Sequence, residues 1–285
     1  MNPLTSNPPI KVALIDLYNG EPNQGIRAIT EIVSSFKHPG LQGPLVLDRF
    51  ETRLNGTVPT LDYDIYLLSG GPGSPFDGED QPWEAAYFQL VDAIWDYNEQ
   101  HRSSSTHDRK FALFICHSFQ MMCRHYKFGE VVQRQSESFG IFKTYQTEAG
   151  KKDQLFDDLV DPFYAADFRK WQVVQPDQDA LDKIGAEVLA IERFRQDPAH
   201  ERALMSIRIN PEMVGVQFHP EADPDGMLIH FGEEERRMAI VKKYGEDSFQ
   251  LIIDRLEKPE YLAHTYNTII PNFLTQAIDT LRGAG

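Results

Sequence analysis

Phe111-Ala112-Leu113-Phe114-Ile115-Cys116-His117-Ser118-Phe119-Gln120-Met121-Met122 carries no Lys, Arg, Asp or Glu. An apolar run of strand length, Phe111 to Ile115, stops at a cysteine. Behind it Phe119, Met122 and Cys123 have the spacing of one helix face. A strand that turns straight into a helix lifts the residue at the turn out of the backbone. The next peptide N–H, that of His117, can then face the same space. Close to a helix N-terminus that N–H favours both a thiolate and an oxyanion. Taken alone, the stretch fits a reactive Cys116 and a buried core cysteine about equally.

Two further stretches break the tie. Gly215-Val216-Gln217-Phe218-His219-Pro220-Glu221 is a short apolar strand ending in a histidine and a glutamate. His219 has the chemistry of a base for Cys116, and Glu221 that of the carboxylate which fixes the imidazole tautomer. The bland alternative for His219 is a structural histidine, which the flanking Pro220 and Glu221 make the lesser reading. Leu67-Leu68-Ser69-Gly70-Gly71-Pro72-Gly73-Ser74-Pro75 is an apolar strand running into a glycine loop, whose backbone N–H groups can approach a substrate closely.

In their order along the chain, the three stretches resemble the class I glutamine amidotransferases, which read roughly G-G-P-G-x-P, then G-x-C-x-G-x-Q, then Q-F-H-P-E. The resemblance spans most of residues 10 to 222 and includes the glutaminase domain of GMP synthetase. It implies a Cys116–His219–Glu221 triad that takes ammonia from glutamine through a cysteinyl-acyl intermediate, without a cofactor. It also implies Gly71 and His117 as oxyanion N–H donors, with Gly70, Gly73 and Gln120 at the substrate. Three positions depart from the pattern. Phe114 and Ser118 stand where the family has glycine, and small residues there relieve crowding at a strained turn. Tyr164-Ala165-Ala166-Asp167-Phe168-Arg169 stands where the family has a W-x-S-H-G-D-like run. Asp167 is counted with the substrate-binding residues: if it faces the pocket, it can pair with an α-ammonium group and repels an α-carboxylate. Otherwise Arg169 or Lys170 neutralises it. Weak activity on free glutamine is therefore expected.

Lys and Arg number 28 against 43 Asp and Glu, a net charge of −15, which argues against a nucleic-acid partner. The only cysteines, Cys116 and Cys123, make no disulfide framework and suit a reducing compartment. Metal-ligand spacing is absent. Cys123, His125 and His230 are assigned to packing or surface. Met1 to Pro9 has no signal-peptide core, and no apolar run approaches a membrane span, so a cytoplasmic protein without a membrane partner is expected. No synthetase sequence follows the motifs on this chain, so a separate acceptor or synthetase subunit is the expected user of the ammonia. One alternative is a γ-glutamyl hydrolase or peptidase acting on another γ-glutamyl compound. Another is a non-catalytic binding or regulatory subunit with a decayed pocket.

The elements fall in an order that predicts the fold class. Ile10–Leu17 reads as a strand, residues 24–36 as a helix, 45–47 and 65–68 as strands, and a helix runs from Pro82 to about Gln100. Ser103 to Thr106 reads as an exposed loop. Glu130–Tyr145 reads as a strand or hairpin broken at Gly140. Phe163–Val174, Val188–Phe194, Ala203–Ile209 and Val214–Phe218 read as further strands. Residues 225–282 read as helical, with turns near Gly245 and Pro259. Alternation first, then strands, then helices, predicts an α/β protein. Its mostly parallel central sheet has helices on both faces, an antiparallel addition and a C-terminal helical extension, the flavodoxin-like fold of the resembled family. The expected division is a tail over 1–9, one domain over 10–224, and an extension over 225–285 packed on that domain.

Overall fold

The computed structural model describes residues 8–104, 108–192 and 201–283. Expectations that fall on Met1–Asn7, Ser105, Thr106, Arg193 and Phe194 lie outside those residues, as does the side chain of His230. The chain opens with β1 (Lys11–Ile15), α1 (Gly25–Ser35), β2 (Val46–Phe50), the single turn α2 (Thr52–Asn55) and β3 (Ile65–Leu68). Next come α3 (Pro82–His101), β4 (Phe111–Ile115), α4 (His117–Tyr126), β5 (Glu130–Gln146) and β6 (Phe163–Val174). They are followed by α5 (Gln178–Ile184), β7 (Glu187–Glu192), β8 (Leu204–Asn210) and β9 (Met213–Val216). Four helices close the described chain: α6 (Pro224–Gly232), α7 (Glu234–Tyr244), α8 (Glu246–Leu256) and α9 (Pro259–Arg282).

The described strands form one sheet in the order β2-β1-β3-β4-β9-β8-β7-β5-β6. The first five run parallel; the rest are joined by antiparallel pairing. β3, β4 and β9 are buried at every residue, the pattern of strands covered on both faces. On one face, α1 and the second half of α9 pack over Leu14, Leu67, Leu113 and Ile115. On the other, α3 and α4 cover Leu68, Ala112 and Phe114. The fold is thus α/β with a mostly parallel core and helices around it. No described helix is long and apolar enough to cross a membrane.

This topology puts the chemistry at one edge. Successive strands diverge at β1, with β2 on one side and β3 on the other, so the crevice opens at their carboxyl ends. The loop after β1, the glycine loop after β3, Cys116 after β4 and His219 beyond β9 all leave the sheet there.

Three local readings change. β5 runs through Gly140 without a break; its irregularity lies between Gln133 and Ser138, where the register against β6 shifts. α5 is a helix that apolar periodicity misses because it is only two turns long. Its punctuation was present: Asp177 caps it by accepting the Ala180 N–H, and Gly185 ends it at φ 73°. The last stretch has an additional break at Glu233, which separates α6 from α7. α6, α7 and α8, with Leu262 of α9, build a separate apolar cluster against Ile141 of β5 and Ala166 of β6. Asp223 starts α6 by accepting the Gly226 N–H at 2.5 Å, and it is tied to Arg27 of α1.

Candidate active site

β4 is apolar at every position and α4 begins one residue later, so the chain must reverse within Cys116. It does so at φ 51°, ψ −96°, a left-handed region that non-glycine residues enter only when surroundings over-determine them. The anchors are specific. Cys116 N–H donates to Val216 O at 2.8 Å, and Gln120 N–H donates to Cys116 O at 3.0 Å. Ser118 is more than a tolerated substitute for glycine. Its hydroxyl oxygen accepts the Ile115 N–H at 2.7 Å and lies 2.7 Å from the Leu68 carbonyl, coupling the elbow to the strand that delivers the glycine loop. Phe114 is accommodated by its register partner on β9, which is Gly215. A Cβ there would lie 2.6 Å from Phe119, so the missing side chain is the space that Phe119 fills beside Phe114.

Cys116 is 5% exposed. His219 reaches it from the other side, its backbone N–H fixed on Ala166 O of β6 at 2.9 Å. Its Nδ1 is 2.8 Å from Glu221 Oε1, leaving Nε2 for the thiol. Burial disfavours a proton on His219, but Cys116 and Glu221 outweigh it and hold the pKa well above the usual histidine value. His117 is the opposite case. Burial, assisted by Arg53, pushes it down to about 3, so its side chain stays neutral and is no base for Cys116. Cys123 is fully buried, and burial alone raises its pKa, the state of an inert core thiol. His125 stacks on Phe88 and bonds Asp92 at 2.7 Å.

Two cavities lie beside these residues. The smaller, about 230 Å³, is lined by Cys116, His117, Gln120, Gly71, Gly73 and Arg169, among others. The larger, about 510 Å³, has His219, Glu221 and Gly71 in its wall. Gly71 must be glycine, because a Cβ would sit 2.6 Å from the Leu17 carbonyl oxygen. Gly70 packs behind the His219 ring and lines neither cavity.

Asp167 requires a correction. It lines neither cavity, and its carboxylate is buried. Oδ1 accepts from Arg169 Nε at 2.7 Å and Oδ2 from Ser138 Oγ at 2.7 Å. A buried carboxylate needs a cation, and Arg169, two residues along the same strand, supplies it. Arg169 is the residue that reaches the smaller cavity instead.

Sequence reasoning assigned no role to several residues that the structure brings to the site. Gln217 Nε2 lies 3.8 Å from Cys116 Sγ, and its Oε1 accepts from Gln120 Nε2 at 3.1 Å. Gln217 stands two residues before His219 in the third motif, so the signal was present. Tyr18, from the loop after β1, lies beside Glu221; burial and that carboxylate push its phenol well above the usual value. Nothing in the sequence separates Tyr18 from an ordinary loop tyrosine.

A family model described as Glutamine amidotransferase class-I matches residues 30–227. A glutamine amidotransferase from Thermotoga maritima has a TM-score of 0.67 at 15% identity, covering 96% of this chain and 100% of that one. A glutamine amido transferase from Methylobacillus flagellatus has a TM-score of 0.52 at 15% identity, covering 96% and 93%. A Thermoplasma acidophilum protein described as one subunit of a GMP synthase has a TM-score of 0.51 at 16% identity, covering 88% and 96%. At these identities the likeness is one of fold. No curated protein matches the chain.

Proposed function

The chain belongs to the class-I glutamine amidotransferase family, and on that premise we propose that it is a thiol amidase that cleaves the side-chain amide of glutamine or a related γ-glutamyl compound. The observation that carries the reading is a cysteine held at positive φ opposite a histidine whose far nitrogen is bonded to a buried glutamate. In this reading Cys116 Sγ attacks the amide carbon. The tetrahedral oxygen is met by the His117 and Gly71 N–H groups, each such donor being worth about 10²–10³ in rate. His219 passes its proton to the departing nitrogen, leaving a thioester on Cys116. Water then attacks the thioester, with His219 taking its proton, and glutamate leaves. Glu221 orients and charges the imidazole; Gln217 and Gln120 hold the thiol and the floor of the smaller cavity. Released ammonia would go to a separate acceptor or synthetase subunit.

The test is steady-state release of ammonia or amine from glutamine and a panel of γ-glutamyl amides. Cys116→Ala abolishes turnover of every substrate in this reading, and Cys123→Ala retains it. Equal activity of wild type and Cys116→Ala on any cleaved substrate refutes it.

A further inference from the structure

The two cavities beside the triad are unequal, and the triad divides between them. The sulfur faces the smaller; the imidazole and its glutamate face the larger. Gly71, Pro72, Glu137 and Phe168 line both. In amide cleavage by a thiol, the group that protonates the leaving nitrogen stands on the leaving-group side. Ammonia is about the size of water, whose share of liquid volume is about 30 Å³, so it needs no cavity. A cavity of about 510 Å³ is within the range of sites for whole small molecules.

Its wall is aromatic. Phe168 lies 5.0 Å from Phe139 and 6.0 Å from Phe231, measured between ring centroids. Phe139 stacks on Tyr244 at 4.7 Å, and Phe168 is 6.1 Å from the His219 ring. Three charged pairs lie around this wall, Lys243 with Glu137, Asp223 with Arg27, and Arg236 with Glu233 at 3.6 Å; Glu21 and the His219-bonded Glu221 line the cavity as well. Phe231 and Tyr244 come from α6 and α7, so the C-terminal helices form part of the leaving-group side.

Resting on the amidase reading above, we infer that the substrate class is γ-glutamyl amides whose leaving amine carries an aromatic group. The acyl half occupies the smaller cavity, and the aromatic half stacks among Phe139, Phe168, Phe231 and Tyr244. Cys116 Sγ bonds to the γ-carbonyl carbon, the C–N bond breaks, and the nitrogen takes the His219 proton to leave as the neutral amine that carries the aromatic group. Water attacks the thioester and yields glutamate and free thiol. The net reaction is amide plus water giving acid plus amine.

The experiment compares kcat/KM for L-glutamine, γ-glutamyl-glycine and γ-glutamyl-phenylalanine, in wild type and in Ala239→Trp. Ala239 is an exposed residue of α7 at the larger cavity. Wild type is expected to prefer γ-glutamyl-phenylalanine to both others by at least about tenfold, the scale of burying one aromatic side chain. Ala239→Trp is expected to lower the phenylalanine-to-glycine ratio at least about fivefold. Cleavage of glutamine or γ-glutamyl-glycine as fast as γ-glutamyl-phenylalanine by wild type overturns the inference while leaving the amidase reading intact. So does an Ala239→Trp ratio equal to that of wild type in a folded variant. Absence of any Cys116-dependent cleavage overturns both.

Discussion

Asp167→Ala tests the buried charge network beside the site. The Asp167 side chain is 3% exposed and that of Arg169 2%. Arg169 also faces Glu192 at 3.6 Å, and Glu192 is bonded to Arg134 at 2.9 Å. Among the described residues, these four groups carry two charges of each sign and sum to zero. Without Asp167 two guanidiniums share one carboxylate, and Ser138 loses its acceptor. Removing one partner of a buried pair costs about 3–5 kcal/mol, chiefly through the charge left behind. A domain of roughly this size loses about 2–4 °C per kcal/mol, so the melting temperature should fall by about 6–20 °C. Circular-dichroism melts of wild type, Asp167→Ala, Arg169→Met and the double variant complete the cycle. The double variant should melt above Asp167→Ala, because it removes the stranded charge together with its partner. A fall under about 2 °C for Asp167→Ala, or strictly additive single effects, would refute the reasoning.

Ser118→Ala removes the hydroxyl between Ile115 and Leu68. It should cost about 1–3 kcal/mol in urea unfolding and lower kcat more than it raises KM; an unchanged unfolding midpoint contradicts this. Glu221→Gln should move the alkaline limb of the kcat–pH profile to lower pH. The carboxylate favours the charged His219 ring, so its loss lowers that pKa and the proton donor is lost sooner. The stability linked to His219 is full below the unfolded value of about 6.5 and is lost as pH rises through the raised folded value. The variant should therefore lose less stability than wild type across that window, read from melts over pH. Gln217→Ala should lower the rate at which Cys116 is alkylated by iodoacetamide, since it removes the amide 3.8 Å from the sulfur; an unaltered rate sinks that role.

What the sequence made legible follows from how locally each feature is specified. Strands buried on both faces are continuous apolar runs, so β3, β4 and β9 announce themselves, and their carboxyl ends fix where the glycine loop, Cys116 and His219 emerge. α5 escaped because two turns hold too few apolar positions for a period, although Asp177 and Gly185 marked both ends. Asp167 was misplaced for a different reason. Its motif position pointed at a substrate contact, but Arg169 and Ser138 take both of its carboxylate oxygens and hold it in the interior. The aromatic wall was not legible at all. Phe139, Phe168, Phe231 and Tyr244 come from two strands and two helices, and only tertiary packing brings their rings together.

The most direct test of the central claim is intact-mass analysis after exposure to a glutamine-mimicking diazo-ketone amino acid, with a free thiol in parallel. The account predicts one adduct, mapped to Cys116, formed faster than on the free thiol and absent from Cys116→Ala. An adduct on Cys123, or labelling of Cys116 no faster than the free thiol, would contradict it.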